Sequence, residues 1–510
     1  MTLFNNLPLV MVAAFLLLTL VVGLYYSKKV TTLREYAIGN KDFATATLVA
    51  TTLATYFGGG GLSRTVQLIH SLGLYWLTLQ ILHTFSIWVI SRLALRMGPF
   101  MRHLSMPETI GHVYGKLPRI ITALASIGAT VASIATQIQI TSMAITICVE
   151  TDSSRNITIV LATLILIFYS SFGGIRAVTF TDVLQLITFT IIIPLLAAFM
   201  FLKINKPILE VVHCLQEQEK FHLNSLFQWN TNLVSLIAVF LSGLVNGINP
   251  TYVQRVYMSS DIIQARKVFL YAGFFSLAVK FAVAILSLFV FVDAPTLPMQ
   301  EIWIHISNSI PFYFRGLLAI GLLGMTMSTA DSSLNNCAVM VSHDIVECIK
   351  GRFTYSNSQR CTTISPLLLT RLTTMAIGLM AMLIAFKYNN LLKLFYITMN
   401  TYVPIISAPF LLAVFGFRSS TATALIGMFT GMVAIIVWRK WIFLETNIDG
   451  SFPCMLANGL AMLAAHYLLP QPAGTGWGLP DKTYQQWQQE KERIARRNKK
   501  NGLLFLQKKI

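Results

Sequence analysis

Long apolar blocks separated by short polar loops run through almost all of this 510-residue chain. Many blocks reach about 20 residues, the length that an α-helix needs to cross the hydrocarbon core of a bilayer. Only 11% of the residues are charged and 55% are hydrophobic, whereas soluble domains carry about 25% charged residues. The pattern therefore excludes a soluble domain, a disordered chain and a coiled coil, and it predicts an all-α polytopic membrane protein.

Hydropathy predicts 13 membrane-spanning helices, which we place at 7–25, 44–71, 73–97, 118–148, 156–172, 181–202, 231–250, 267–293, 312–343, 367–386, 390–416, 420–441 and 451–469. Lys and Arg are concentrated in the loops after the odd-numbered spans and in the C-terminal tail. Cytoplasmic loops carry an excess of these residues. We therefore expect the chain to lie in a cell membrane or a bacterial inner membrane, with its N-terminus outside and its C-terminus in the cytoplasm.

The formal net charge of +18 resides in loops and in the tail. In a soluble protein such an excess would suggest a nucleic-acid partner. Here we expect anionic lipid head groups at the cytoplasmic face and no nucleic acid. The basic tail 481–510 is interpreted as a cytoplasmic segment that touches lipid, with a partner-docking helix as the alternative. The six cysteines show no spacing typical of a metal site.

The second predicted span contains four consecutive glycines, Gly58 to Gly61. Glycine destabilises a helix interior, so this run predicts an unwound stretch in mid-membrane. Such backbone is tolerated where it lines a cavity or is buried in protein, and its exposed carbonyl oxygens can bind a cation. Close helix packing through small residues is the alternative.

A second cluster of helix-breaking residues ends the seventh span, where Asn246, Asn249 and Pro250 follow an apolar segment. Paired broken helices at matching positions of two halves are typical of secondary transporters built from inverted repeats. An ordinary helix end at Pro250 is the alternative.

The ninth span carries a dense polar cluster that includes Ser328, Thr329 and Asp331. Hydroxyls can bond to their own helix at little cost, but a mid-membrane carboxylate costs about 2.5–3.5 kcal/mol even on an insertion scale. Hydroxyl and carbonyl oxygens suit a small monovalent cation, and they do not suit zinc.

Two isolated charged residues, Asp182 and Lys280, allow more than one interpretation. Asp182 follows the Gly173–Gly174 turn at a predicted helix N-terminus, where a carboxylate is ordinarily a structural cap. Lys280, inside the eighth span, either lines a substrate path or is salt-bridged or snorkels to an interface.

Five motifs occur in an order that resembles the sodium:solute symporter family, over about residues 28–440. They are EYAIGNKDF (35–43), LSMPETIGHVYGKLPR (104–119), YSSFGGIRAVTFTDVLQ (169–185), NPTYVQRVYMSSDIIQARK (249–267) and MSTADSSLNNCAVMVSHDI (327–345). The resemblance implies a LeuT-type fold with a 5+5 inverted repeat.

That fold implies five segments. An extra helix and a cytoplasmic loop cover 1–43, the first repeat 44–202, the second 231–416, two peripheral helices 417–480, and the tail 481–510. The resemblance also implies Na⁺ as the coupling ion, bound by the carbonyls of Ala54, Phe57 and Met325 and by the hydroxyls of Ser328 and Thr329, with Asp182 near the exit route.

A transported small-molecule solute is the partner that this resemblance implies. We place its site at Gly59, Gly60, Arg64, Gln67, Asn246, Asn249, Lys280 and Asp331. Polar residues of the sugar-transporting type are absent after the first break, and two cations lie near the site, so an amino acid or a small carboxylate is favoured. The hypothesis is sodium-coupled symport by alternating access. The alternatives are a transporter-like sensor, proton-coupled symport with Asp331 as the carrier, and a membrane-embedded enzyme, which we do not expect.

Overall fold

A computed structural model describes residues 7–27, 30–146, 152–225, 231–350, 365–387, 391–446 and 448–478. Within these ranges, eight helices are long and apolar enough to cross a membrane, or nine if one bent pair counts as a span. Every predicted span contains helix, with interruptions inside the spans 44–71, 73–97 and 231–250. The chain is a mostly helical, integral multi-pass membrane protein, and the number of 13 complete crossings stays a prediction. The basic tail 481–510 lies outside the described residues.

Ten helices form the first half of the chain. They are α1 (Leu7–Ser27), α2 (Leu33–Ile38), α3 (Thr45–Tyr56), α4 (Gly59–Leu72), α5 (Leu74–His83), α6 (Phe85–Ala94), α7 (Met106–Tyr114), α8 (Lys116–Thr146), α9 (Asp152–Ile204) and α10 (Ile208–Gln216).

The second half contains eleven helices and a short antiparallel pair of strands. They are α11 (Thr231–Asn246), α12 (Pro250–Met258), α13 (Ile262–Asp293), α14 (Ile302–Ser309), α15 (Arg315–Val339), α16 (Cys348–Lys350), α17 (Pro366–Lys387), α18 (Leu391–Val414), β1 (Phe417–Arg418), α19 (Thr421–Val437), α20 (Phe443–Thr446), α21 (Ser451–Leu468) and β2 (Gly476–Trp477). A π-helical turn, Met340–Glu347, continues α15.

The centre of the molecule is α15, whose side chains are nearly all buried. It packs against α8 and α9 on one side and against α3 and α4 on the other. A helix that is buried all round in a membrane protein is free to carry polar groups on every face, because none of them meets lipid. This position explains why the polar cluster of the ninth span is tolerated.

The predicted turn at Gly173–Gly174 is present, and it separates two helical segments that together make up α9. Gly174 adopts φ 53° and ψ −154°, a backbone conformation that favours glycine, while the helix continues on both sides. A Cβ at Gly174 would also lie 2.7 Å from the Tyr36 ring. The expectation that Asp182 sits at a helix N-terminus is therefore wrong, since Asp182 lies two turns inside the helix and is fully buried.

Candidate functional site

The first interruption lies between α3 and α4, as the glycine run predicts. Helix α3 ends at Tyr56, Phe57 leaves the helical conformation with ψ 70°, and Gly58 is extended before α4 begins at Gly59. The end of α3 thus presents carbonyl oxygens that have no partner one turn further along the helix. The break is closely covered, because a Cβ on Gly59 would lie 2.4 Å from Thr326 Cγ2 of α15.

The hydroxyls of α15 point at this break. Ser328 Oγ donates to the carbonyl of Ala54 at 2.8 Å and lies 3.1 Å from the carbonyl of Met325. Thr329 Oγ1 donates to the carbonyl of Thr55 at 3.3 Å. Three of the five predicted sodium ligands, Ala54, Met325 and Ser328, thus contact one another between α3 and α15. Thr329 contacts the neighbouring Thr55 carbonyl, and Phe57 forms the break itself. We call Ala54, Phe57, Met325, Ser328 and Thr329 the oxygen cradle.

The chemistry of the cradle suits a hard monovalent cation. It contains carbonyl and hydroxyl oxygens and no thiol or imidazole. Among the described residues, no group of three or more His, Cys, Asp or Glu side chains is placed to hold a metal ion. Oxygen donors of this kind favour hard cations over zinc.

Asp182 belongs to a buried network one helical turn from the cradle. Its Oδ2 accepts hydrogen bonds from Thr51 Oγ1, from Arg255 Nη2 at 3.4 Å and from Ser332 Oγ at 3.5 Å. The same guanidinium donates to Thr55 Oγ1 at 3.0 Å and to Ser332 Oγ. Both ionic side chains are fully buried.

Arg255 was not among the site residues predicted from the sequence. It stands in the NPTYVQR segment, which was interpreted as the start of a loop, whereas the structure places it in α12 with no exposed surface. A buried arginine requires a carboxylate partner. An arginine just after the second break and an aspartate inside a predicted span could therefore have indicated a buried ion pair between Arg255 and Asp182.

Asp331 lies apart from the cavity that its assignment to the solute would require. Its Oδ2 accepts a hydrogen bond from Tyr169 Oη at 2.7 Å, and Thr181 Oγ1 lies 3.5 Å away. It is fully buried between α9 and α15. The structure therefore places Asp331 with the Asp182 network and not with the cavity.

A cavity of about 420 Å³ adjoins both helix breaks. It is lined by five of the eight residues predicted for the solute, namely Gly60, Arg64, Asn246, Asn249 and Lys280. Gly59 packs against α15 instead, and Gln67 is turned away, with its Nε2 donating to the carbonyl of Met299 at 2.9 Å.

The second break shapes the far wall of the cavity. Helix α11 ends at Asn246, α12 begins at Pro250, and the two axes bend by 44°. Asn249 caps α12, because its Oδ1 accepts from the backbone N–H groups of Thr251 and Tyr252 at 3.0 and 3.1 Å. The breaker cluster is thus a true interruption followed by a further helix.

Lys280 is held in the cavity wall by three hydrogen bonds. Its Nζ donates to the carbonyl of Gln80 at 2.7 Å, to Tyr56 Oη at 3.0 Å and to Thr84 Oγ1 at 3.0 Å. In the part of the chain that the structure describes, no carboxylate forms an ion pair with it. Lys280 was expected either to line a substrate path or to be salt-bridged or snorkel to an interface, and the structure favours the first because Lys280 lines the cavity. Its three donors are all used by protein groups, so none is left for a direct hydrogen bond to a solute.

A polar face of α8 also lines the cavity. None of its residues was predicted from the sequence. Its members recur at helical spacing and are Ser126, Thr130, Ser133, Thr136 and Gln137. Spacing of three or four residues places side chains on one helix face. Reading α8 for polar periodicity, as well as for hydropathy, would have found this face.

The comparison with family models decides the affiliation of the chain. The model of the sodium:solute symporter family matches residues 36–431. The chain belongs to this family. Its members are transporters and not enzymes, and sodium is the ion named for them. The match includes both helix breaks, the cradle and the Asp182 network.

A curated relative and two solved structures are similar to the chain. The sodium/sialic acid symporter NanT of Aliivibrio fischeri (strain ATCC 700601 / ES114) is 22% identical over 344 residues, which are 62% of this chain and 65% of the relative. The match thus spans less than two thirds of the relative's length.

A Na⁺-coupled sialic acid symporter, solved substrate-bound and outward-open, superposes with a TM-score of 0.78 at 17% identity, covering 91% of this chain and 99% of that one. A nucleobase-cation-symport-1 family transporter with bromovinylhydantoin bound gives a TM-score of 0.57 at 10% identity, covering 85% of this chain and 95% of that one. These likenesses show that the chain shares the fold of such symporters.

Proposed function

We propose that this protein is a secondary active transporter that couples the entry of Na⁺ to the uptake of a small organic anion. The observation that carries the proposal is the position of Ser328 Oγ, 2.8 Å from the Ala54 carbonyl and 3.1 Å from the Met325 carbonyl, at the break of a membrane helix. Sodium in this cradle replaces hydrogen bonds that the hydroxyl now donates.

The chemistry of the cavity supports an anionic and hydroxylated solute. Lys280 and Arg64 supply positive charge to the wall, and the polar face of α8 supplies hydroxyl and amide groups. A carboxylate gains from the two cations, while hydroxyl or amide groups of the solute pair with α8. The relatives named as sialic acid symporters fit this class, because sialic acid is a carboxylated sugar. The residues after the first break argued against a sugar, but the two cations and the polar face of α8 together lead us to favour an acidic sugar over an amino acid or a small carboxylate.

The coupling mechanism follows from the location of the cradle. Sodium joins α3 to α15 and favours the state in which the cavity is open to the outside. The solute then binds between the two breaks, one repeat (44–202) rocks against the other (231–416), and sodium leaves past Asp182. A ligand shifts such an equilibrium only by its differential affinity for the two states.

The available driving force is sufficient. One sodium ion supplies about 2.3 kcal/mol per 100 mV of membrane potential. A tenfold concentration gradient adds about 1.4 kcal/mol. Together they amount to about 3.7 kcal/mol, or several hundred-fold accumulation of the solute.

Uptake into proteoliposomes tests the proposal. The purified full chain is reconstituted, and uptake of radiolabelled N-acetylneuraminate is compared under an inward Na⁺ gradient and an equal K⁺ gradient. We expect Na⁺-dependent accumulation that unlabelled acidic sugars compete away and neutral sugars do not. Equal uptake in Na⁺ and K⁺ contradicts sodium coupling. Competition by amino acids alone contradicts the choice of solute and leaves the coupling intact.

A further inference from the structure

A groove open to the membrane runs between α9 and α13. It has a volume of about 470 Å³ and is lined only by apolar residues. Those of α9 are Pro194, Ala197, Ala198 and Phe201, those of α13 are Ala278, Phe281, Ala282, Ile285 and Phe289, and Ile208 of α10 closes one end. We call this set the α9–α13 groove.

The length of the groove matches one leaflet of a bilayer. From Ala278 to Phe289 the α13 face rises by about 16 Å at 1.5 Å per residue. Half of a ≈30 Å hydrocarbon core is about 15 Å. The alanines on both helices leave room between the larger Phe and Ile side chains, and an acyl chain is an apolar occupant of matching length.

Polar groups follow the end of the groove that Ile208 lines, where α9 and α13 end. Lys203 Nζ contacts Asp293 Oδ2 at 2.6 Å and Ser309 Oγ at 2.8 Å, and Lys206 Nζ contacts Glu210 Oε1 at 2.9 Å. Both lysines keep about two fifths of their side-chain surface exposed, 37% and 42%. Both lysines are ion-paired, and the contacts of Lys203 with Asp293, His305 and Ser309 engage all three of its donors. Lys206, paired with Glu210, is therefore the lysine that can also donate to the phosphate of a lipid.

The helix that follows these lysines is shaped for the membrane surface. In α10, Val211 is buried against the protein, while Ile208 and Leu209 expose 58% and 78% of their surface. An amphipathic helix with a large exposed apolar face lies in the interface between head groups and acyl chains. The groove, the lysines and α10 therefore meet at one membrane boundary.

We propose that the α9–α13 groove is a binding site for a glycerophospholipid, with one acyl chain in the groove and its phosphate beside Lys206. This site is separate from the oxygen cradle and from the solute cavity, and it does not depend on the proposed function. It joins α9, which carries Asp182, to α13, which carries Lys280.

Native mass spectrometry of the full chain tests the site. The delipidated protein is titrated with phosphatidylethanolamine, phosphatidylglycerol and, as the probe without phosphate, dioleoylglycerol. Ala198→Trp combined with Ala278→Trp fills the groove, and we expect it to reduce retention of both phospholipids several-fold. Ala464→Trp, on the exposed face of α21, is the matched control and leaves retention unchanged. Lys206→Gln lowers retention of phospholipid and not of dioleoylglycerol.

Two results overturn the proposal: equal phospholipid retention by the groove-filling variant and the wild type, or equal retention of dioleoylglycerol and phospholipid by the wild type. A photoactivatable phospholipid gives a second test on the wild-type chain, in case the double variant fails to fold. Adducts within 194–208 and 278–289 support the site, and adducts confined to other helices overturn it.

Discussion

At the scale of single residues, hydroxyl and carbonyl groups of different helices meet at the proposed sodium site and around the buried pair of Asp182 and Arg255. Ser328 bonds to two carbonyls from two helices, and Arg255 joins α3, α9 and α15 through Thr55, Asp182 and Ser332. In a low-dielectric interior each such contact is strengthened, and each unpaired group is costly. The same residues that hold the helices together are therefore those that a bound cation would rearrange.

Ser328→Ala is expected to weaken sodium binding about 2- to 13-fold, because a hydrogen-bonding oxygen contributes about 0.5–1.5 kcal/mol. The measurement is the Na⁺ concentration that gives half of the sodium-dependent rise in the unfolding midpoint, with choline as the control cation. Ser276→Ala serves as a matched variant, since Ser276 Oγ bonds only within α13 to the Gly273 carbonyl. An unchanged half-saturation in the Ser328→Ala, Thr329→Ala double variant would show that the cradle is misplaced.

Arg255→Met is expected to destabilise the protein by about 3–5 kcal/mol, because it leaves the buried carboxylate of Asp182 without its cation. Combining it with Asp182→Asn removes both charges and should restore much of the unfolding midpoint in detergent. The pair is not an interacting unit if the two single effects simply add in the double variant.

At the scale of elements, glycine determines how closely a broken helix approaches its neighbour. Within α4, Gly59 has no room for a Cβ because Thr326 Cγ2 would lie at 2.4 Å, whereas Gly61 has nothing within 4 Å. The glycine run thus serves two purposes, since it allows the interruption and it brings the start of α4 against α15.

Gly59→Ala is expected to push α4 away from α15 and to abolish sodium-dependent stabilisation, while Gly61→Ala leaves it intact. The Gly61 substitution should raise helix stability by about 1 kcal/mol, since alanine is the better helix former. Both variants are compared by thermal unfolding with and without Na⁺. Equal responses of the two variants to Na⁺ would contradict the close approach of the two helices.

At the scale of the whole molecule, α7 joins distant parts of the chain at one end of the bundle. Glu108 Oε2 lies 3.2 Å from His343 Nε2 at the π-helical end of α15, and it accepts from the Leu104 N–H at 2.7 Å. Tyr114, at the end of α7, donates through Oη to the Phe417 carbonyl. Its own backbone carbonyl accepts a hydrogen bond from Thr421 Oγ1. One short helix therefore connects both predicted repeats and the peripheral helices.

The Glu108 contacts predict a pH-dependent contribution to stability. Burial by itself raises the pKa of the Glu108 carboxyl, but the hydrogen bonds from His343 and Leu104 outweigh it and lower this pKa to about 2. A lowered pKa in the folded state stabilises the protein above the ordinary value of 4.5, and this contribution is lost as pH falls toward 2. Glu108→Gln should lower the unfolding midpoint at pH 7, and the difference from wild type should shrink between pH 4.5 and 2. Exposed Glu445→Gln is the control, and a difference that is constant with pH would exclude the Glu108 charge as its source.

The predicted orientation is testable with two native thiols at opposite ends of the bundle. Cys214, in α10, and Cys348, in α16, are partly exposed free cysteines. With the N-terminus outside, a membrane-impermeant maleimide should label Cys214 in intact cells and reach Cys348 only after permeabilisation. Cys214→Ser and Cys348→Ser identify each adduct, and the reverse pattern would invert the topology.

Local properties of the chain were predictable from its sequence. The length of each apolar segment predicts a membrane-spanning helix, and clusters of Gly, Asn and Pro predict the two breaks. Helices and breaks are predictable because each depends on a few neighbouring residues. The motif order led to the oxygen cradle, of which the structure joins Ser328 to Ala54 and Met325, while sodium binding there stays a prediction. The turn at Gly173–Gly174 was also predictable, since Gly174 takes a conformation that glycine favours. The start of the helix after it was placed too late, so that Asp182 was expected at its N-terminus and not two turns inside it.

Contacts between helices were decided only by the tertiary structure. The rotation and the neighbours of each helix decide which residues meet. They place Asp182 beside Arg255, Tyr169 beside Asp331 and Tyr56 beside Lys280. A membrane helix has little net hydrophobic gradient to fix that rotation, because lipid and protein interior are similarly apolar. The sequence by itself thus determined the helices and their interruptions, while packing determined which polar groups share the interior.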